Sequence, residues 1–430
     1  MKILSHVPIV RRDFLKIGGL GAVSCLIPTK LMPFSQAAFA NEVLSGTPMD
    51  RTKTYKIVRA ENGTAKIKPL VIIWLPGGLS HLDTFCPVPD MPIERRGPFK
   101  TIPTKVPGLH VSETIPEIAQ IMHHTALLGN IYHTQGDHVL ASNRVLTGVD
   151  DKRDDSGPKY KPFHAMLGNF LGKDGVSFVI VNPHPYITSA LSPEDALVIQ
   201  RHSWLPKYES PIEDNIDIER LNNRADLLDK LNRKDLETDE TIRWETLIEK
   251  GREIIIGGDF NKALDLSKVD EKERERYGKN EFGEAGIMAK NLVRAGVPIV
   301  LIHFGSWDNH ENIEERFKYD IPPLDKFIAA TIEDLKDEAI VVVASEFGRT
   351  PIINHKKGRD HWPQSNFMLI AGPGIEPRAY GKIDVQGFIV GQRFNGAFMG
   401  PTILRAAGYE LKEERNGVLS ADPVPYYPIF

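Results

Sequence analysis

Cysteine is nearly absent from this 430-residue chain: only Cys25 and Cys86 occur, so a disulfide-stapled scaffold is excluded. Apolar runs are all shorter than the ~20 residues that a lasting transmembrane helix needs, which excludes a multi-span membrane protein. Internal repeats and low-complexity tracts are missing too, so neither a solenoid nor a disordered scaffold fits. Charge of neither sign dominates, with 53 Lys and Arg against 57 Asp and Glu and a formal net charge of −4. Nucleic-acid binding is therefore not expected, because phosphate contact needs a basic face.

What is present begins with Arg11-Arg12, followed by Asp13-Phe14-Leu15-Lys16 and a glycine-rich apolar segment that ends at Pro28. That order reads as a leader for the twin-arginine (Tat) export machinery, which carries folded proteins. Ala38-Phe39-Ala40 offers a small-residue cleavage site, so residues 1–40 are expected to be removed and the product to be periplasmic or extracellular. Membrane attachment is then expected only through an uncleaved leader or lipidation at Cys25. Removal takes away five basic residues and one acidic, moving the net charge from −4 to about −8, and leaves Cys86 without an intramolecular partner.

Beyond a polar lead-in at 41–66, residues 67–430 read as an α/β domain. Leu70–Leu75, Thr125–Leu128, Val176–Val181, Ile299–Ile302, Ile340–Ala344 and Phe367–Ile370 are continuous apolar runs rather than alternating ones. Such runs suit strands buried on both faces, as in a mainly parallel sheet covered by helices. Helices are expected from Thr114-Ile115-Pro116-Glu117 and around Leu324–Leu335. A charge-dense stretch at about 209–285 reads as a helical insertion, and 405–430, with its three prolines, as a tail packed along the surface.

Ligands in such sheets gather beyond the carboxyl ends of the strands. There the chain places Asp137-His138, Asp308 and His310, and Glu346, with Asp360-His361 ahead of the last run. Mixed imidazole and carboxylate donors suit zinc or manganese ahead of calcium. Asp308 and His310, two apart on an extended segment, share a face, and in the adjacent Asp-His pairs either member can turn inward with the other supporting it.

The strings Gly77-Gly78-Leu79-Ser80-His81-Leu82-Asp83-Thr84-Phe85, Trp307-Asp308-Asn309-His310, Glu346-Phe347-Gly348-Arg349-Thr350-Pro351 and Gly358-Arg359-Asp360-His361-Trp362 resemble those of a Tat-exported, sulfatase-like bacterial family (domain of unknown function 1501) related to the alkaline phosphatase superfamily. The resemblance runs from about Leu70 to the C-terminus. It implies divalent metal held by Asp and His at strand ends, and attack on a phosphate or sulfate ester. Several positions depart from the superfamily pattern. Anchoring the sulfatase signature on Leu146-Thr147-Gly148 puts His138 where its modified cysteine stands and Ala141-Ser142 where its Ser-Arg pair stands, with Arg144 nearby as an anion holder. Glu346-Phe347 replaces an Asp-His pair, and Gly77-Gly78 displaces the first acidic ligand, leaving Asp83 as its substitute. The resulting candidates are His138 and Ser142 for catalysis, with Thr147 and Ser80 as further hydroxyls, and Arg144, Arg349 and Arg359 for the anion. Asp83, Asp137, Asp308, His310, Glu346, Asp360 and His361 are the candidates for metal.

Two functions compete on this reading: an exported metal-dependent ester hydrolase, and a catalytically degenerate relative that binds a partner or a sulfated or phosphorylated glycan.

Overall fold

The continuous apolar runs become strands because both of their faces are covered. A computed structural model describes residues 53–60, 67–149, 161–171, 176–182, 196–199, 258–420, 426, 427 and 429. The expected leader and most of the expected insertion lie outside these residues.

In chain order the principal strands are β1 (Thr54–Arg59), β2 (Leu70–Trp74), β3 (Thr125–Tyr132), β4 (Phe178–Val181), β5 (Leu197–Ile199), β6 (Ile299–His303), β7 (Ile340–Ala344), β8 (Asn366–Ala371), β9 (Arg378–Tyr380) and β10 (Tyr409–Arg415). The main sheet runs β9-β3-β8-β7-β2-β6-β4-β5. Its pairings are parallel except those of β8, which is antiparallel to both β3 and β7. β2 lies at the centre, in register with β6 from Leu70↔Ile299 to Trp74↔His303 and with β7 from Leu70↔Ile340 to Trp74↔Ala344.

The principal helices are α1 (Ile93–Arg96), α2 (Pro116–Ile121), α3 (His138–Thr147), α4 (Phe163–Leu171), α5 (Glu281–Arg294), α6 (Ile313–Leu335) and α7 (Met399–Ala406). Alternate residues of β2 enter opposite layers. Val71 and Ile73 pack with Met288 and Leu292 of α5 and Leu324 and Ile328 of α6, while Leu70, Ile72 and Trp74 pack with Val145 of α3, Phe163 of α4 and Ile403 of α7. Burying a strand residue such as Ile73 or Leu301 contributes ~1.5–3 kcal/mol each, and both layers draw on this single sheet.

Three details depart from the sequence expectation. α6 runs through Pro322-Pro323 and begins at Ile313, well before the expected Leu324. β1, read as part of a polar lead-in, pairs antiparallel with β10 over Thr54↔Glu414 to Arg59↔Tyr409. The segment expected as a surface tail therefore carries a strand, and its Tyr427 and Ile429 are buried. No helix among the described residues is long and apolar enough to cross a membrane.

Candidate metal centre

Topology brings the chemistry to one rim. β3, β6 and β7 run parallel and end there, so the segments that follow them supply His138, Asp308 with His310, and Glu346. β8 runs the other way, so its beginning lies at that rim and the residue ahead of it, His361, arrives there too.

Three ligand atoms meet at close range. His310 Nε2 is 2.9 Å from Asp308 Oδ1, His361 Nε2 is 3.1 Å from the same oxygen, and the two nitrogens are 3.0 Å apart. The other ring nitrogens settle the tautomers: His310 Nδ1 donates to Asp360 Oδ1 at 2.6 Å and His361 Nδ1 to the Gly136 carbonyl at 2.7 Å. In its neutral form each ring then turns the lone pair of its Nε2 toward the other and toward a carboxylate oxygen. Three electron-rich atoms in mutual contact repel unless a proton or a cation stands among them. Ligands of a tetrahedral zinc bonded at ~2.0–2.1 Å are spaced by ~3.3 Å, so this triangle fits a small divalent ion with little movement. His138, Asp308 and His361 also offer ligand atoms within 4.8 Å of one another.

Arg349 fixes Asp308. Its guanidinium is fully buried and donates to Asp308 Oδ1 at 2.7 Å, to the Gly78 carbonyl at 2.8 Å, to the Arg359 carbonyl at 2.9 Å, and also to the Gly77 carbonyl. Gly77 has φ +97°, and a Cβ there would stand 2.6 Å from Trp307 N and 2.7 Å from Asp308 N, so only glycine lets the first strand's exit approach the Asp308 segment.

His138 opens α3 beside this triangle. Its Nδ1 donates to Glu346 Oε1 at 2.7 Å and its Nε2 lies 3.3 Å from Asp308 Oδ2. Glu346 is buried and also accepts from Gly77 N at 2.7 Å and from Ser345 Oγ at 3.1 Å. Burial pulls the His138 pKa down, but its contacts with Asp308 and Glu346 outweigh that and hold it at about 9. Burial likewise opposes ionisation of Asp308, yet His138, His310, His361 and Arg349 together hold its carboxyl far below the ordinary range. His310 is raised, chiefly by Asp308, and His361 is lowered, chiefly by burial.

Several residues read from the sequence as ligands or anion holders have other tasks. Asp83 is not at the centre: it is fully buried and takes a two-pronged ion pair from Arg359, at 2.6 Å and 3.0 Å. Arg359 is therefore no anion clamp; its remaining donors go to the carbonyls of Arg95, Thr350 and Pro351. Arg349 is likewise sealed, acting on Asp308 rather than on a substrate. Asp137 caps α3, accepting from Val139 N and Leu140 N. Arg144 is buried and donates to Asn395 Oδ1 at 3.2 Å. Asp360 orients His310 instead of facing the triangle. Ser142, one turn beyond His138, is buried with no hydrogen-bond partner among the described residues, and Ser80 and Thr147 are spent on Asp83 and on the Asn143 carbonyl.

Sequence reasoning missed Asn354, whose amide donates to the His310 carbonyl at 3.0 Å and to Asp360 Oδ1 at 3.1 Å. It also missed His133, whose Nε2 donates to the Glu346 carbonyl at 2.6 Å. His133 lies at a strand exit, which is the signal that marked its neighbours.

The fold is that of an α/β protein, and this cluster is a candidate metal site at the rim of its mainly parallel sheet. The chain belongs to the family described as a protein of unknown function (DUF1501), whose model matches residues 67–169 and 201–420; this is the family that the sequence strings resemble. No curated protein matches the chain. Among solved structures it is similar to the soluble domain of lipooligosaccharide phosphoethanolamine transferase A from Neisseria meningitidis, at 10% identity and TM-score 0.38, covering 82% of this chain and 91% of that one. It is also similar to the zinc complex of the C-terminal periplasmic domain of EcEptC from Escherichia coli, at 11% identity, TM-score 0.36, and coverage of 83% and 85%. A third is a TAB5 alkaline phosphatase mutant with Mg bound, at 13% identity, TM-score 0.36, and coverage of 80% and 99%.

Proposed function

We propose that this chain is an exported, divalent-metal-dependent hydrolase of phosphate or sulfate esters, delivered by the Tat machinery to the periplasm or cell surface. The observation that carries the reading is the triangle of His310 Nε2, His361 Nε2 and Asp308 Oδ1, three ligand atoms at 2.9–3.1 Å from one another. His310 and His361 would hold the ion with Asp308, and an imidazole-rich set favours zinc or manganese over calcium. A bound divalent ion supplies Lewis-acid neutralisation of an anionic ester and a lowered water pKa.

The chain's own residues do the rest. Arg349 keeps Asp308 in place, and Asp360 and the Gly136 carbonyl keep the two rings turned inward. Glu346 holds the Nδ1 proton of His138, which leaves Nε2 as the atom that takes or returns a proton beside the centre. The three hydroxyls considered as nucleophiles are buried or engaged elsewhere, which supports attack by water without a covalent serine or threonine step.

The engagement or burial of those three hydroxyls also favours a second reading, a catalytically degenerate protein that binds a partner or a phosphorylated or sulfated glycan. Elemental analysis of the exported protein, followed by aryl phosphate, phosphodiester and sulfate ester substrates with and without a chelator, separates the two. Bound metal with chelator-sensitive turnover, both lost in His310→Ala, supports the hydrolase. Bound metal without turnover, or absence of metal, overturns the hydrolase and supports the binding protein, which need not hold a stoichiometric ion.

A further inference from the structure

Asn354 stands one step outside the triangle, on a strap at 354–359 that lies along the segment 309–313. Its side-chain amide makes four hydrogen bonds. Nδ2 donates to the His310 carbonyl at 3.0 Å and to Asp360 Oδ1 at 3.1 Å, and Oδ1 accepts from Lys356 N and Gly358 N, each at 3.0 Å. These partners force the orientation of the amide, because a carbonyl and a carboxylate accept while two backbone N–H groups donate.

The strap holds its course by backbone bonds alone. Arg359 N donates to the Asn309 carbonyl at 3.1 Å, Asn312 N to the Lys356 carbonyl at 3.0 Å and Ile313 N to the Lys357 carbonyl at 2.9 Å. Asn354 N donates to the Gly358 carbonyl at 2.9 Å and Lys357 N to the Asn354 carbonyl at 3.0 Å, which closes the turn. Gly358 lies so close to the neighbouring peptide that a Cβ would collide with the His310 carbonyl group and Glu311 N. The main chain at His310 is thus already restrained, and the bond it receives from Asn354 adds little.

The bond to Asp360 does more. Asp360 Oδ1 receives the Nδ1 proton of His310 at 2.6 Å, yet the Asp360 side chain is 55% exposed. A carboxylate open to water has other rotamers available, and one that leaves His310 frees the ring to turn or to change tautomer. Asn354 Nδ2 meets the same oxygen that receives the His310 proton. It therefore selects the Asp360 rotamer in which His310 keeps its Nδ1 hydrogen and offers Nε2 to Asp308 and His361.

We infer that Asn354 is a positioning residue of the centre, acting through Asp360 on the His310 ring and so on the affinity for a divalent ion. The inference rests on the metal-dependent reading proposed above. Partners of metal-ligating imidazoles are typically worth ~10–100-fold in affinity, and a residue one step farther out is expected at the lower end, about tenfold.

The test uses the exported protein after dialysis against a chelator. Zinc affinity is read by competition with a fluorescent chelator, and ligand geometry by the visible spectrum of bound cobalt(II). Asn354→Ser keeps an acceptor for the turn amides and removes the donor to Asp360. It should weaken zinc about tenfold and change the cobalt spectrum, while the metal-free variant melts as wild type does. Asp360→Ala should weaken zinc ~10–100-fold, and adding Asn354→Ser to it should cost less than about twofold more, because the route to the ring is gone. Lys356→Ala, on the same strap, removes the pair with Glu311 and should move neither readout. Asn354→Asp has the native shape and serves if the serine variant folds poorly: its carboxylate cannot donate and repels Asp360, so the same loss of zinc affinity is expected. If wild type binds zinc and the Asn354 variants keep its affinity and spectrum, this inference is overturned and the metal-dependent reading stands. An equal loss from Asn354→Ser with and without Asp360 also overturns it, since that marks a purely structural role. Wild type that takes up neither ion overturns the hydrolase reading and this inference with it.

Discussion

Arg359→Ala tests whether the buried pair with Asp83 is structural. Both side chains have no exposure, and the guanidinium satisfies two carboxylate oxygens and the carbonyls of Arg95, Thr350 and Pro351. Removing it strands the Asp83 carboxylate, for which breaking a buried pair typically costs ~3–5 kcal/mol. The abandoned carbonyls add ~1 kcal/mol or more where water cannot reach them. A loss of about 5 kcal/mol would be a large part of a domain stability of ~5–15 kcal/mol. Urea unfolding followed by circular dichroism reads it as a fall in midpoint at unchanged slope. The double variant Asp83→Leu with Arg359→Met, which removes both charges, should lose much less than the sum of the two single changes. If Arg359→Ala unfolds within ~1 kcal/mol of wild type, the pair is not sealed, and a role for Arg359 in binding an anion returns.

Two further changes probe the centre and its surroundings. Gly77→Ala places a Cβ 2.6–2.7 Å from the Trp307 and Asp308 amides at φ +97°, and it should cost ~1–3 kcal/mol and weaken metal binding at least about tenfold; titration calorimetry with zinc reading wild-type affinity would refute it. His81 is buried, and burial with the nearby Arg359 charge drops its pKa from 6.5 to about 3. The unfolded chain alone then binds this proton between those values, so the stability is complete above pH 6.5 and is lost as the pH falls toward 3, at ~1.4 kcal/mol per unit. His81→Asn, which keeps an acceptor for Arg349 N, should flatten the acid limb of a stability–pH curve, and an unchanged slope would sink the assignment.

The sheet was legible because its strands are buried on both faces: Leu70–Trp74 and Ile340–Ala344 are short, β-branched-rich apolar runs closed by turn or polar residues, which favours buried strands over buried helices. The candidate segments were legible for a related reason, since polar strings directly after such strands can only reach the rim. What could not be read was which charges face one another. Asp83 and Arg359 are 276 positions apart, and nothing local distinguishes a carboxylate that will meet a guanidinium from one that will face a metal. Asp137 was decidable in principle, because an Asp immediately before a helix is the ordinary N-cap, but the adjacent His138 drew the metal reading. β1 was hidden by composition: Thr54-Tyr55-Lys56-Ile57-Val58-Arg59 buries only Ile57, so it looks like a lead-in until β10 pairs with it.

Charge explains why the surviving residues, unlike Asp83, belong to a centre. Asp308 and Glu346 both sit against His138, one carboxylate on each ring nitrogen, and Arg349 is the guanidinium that contacts Asp308. Two of the three imidazoles around them answer that local excess of negative charge by holding protons more tightly: His138 and His310 are both raised, each by a carboxylate of the cluster, while burial lowers His361. Asp83 makes no such demand, because Arg359 meets it with two hydrogen bonds in a closed pair. A pair that is complete in itself holds the fold. A cluster that recruits protons onto rings whose Nδ1 hydrogens are already committed to Asp360 and Glu346 keeps its Nε2 side for a proton or, on the function proposed above, for a cation.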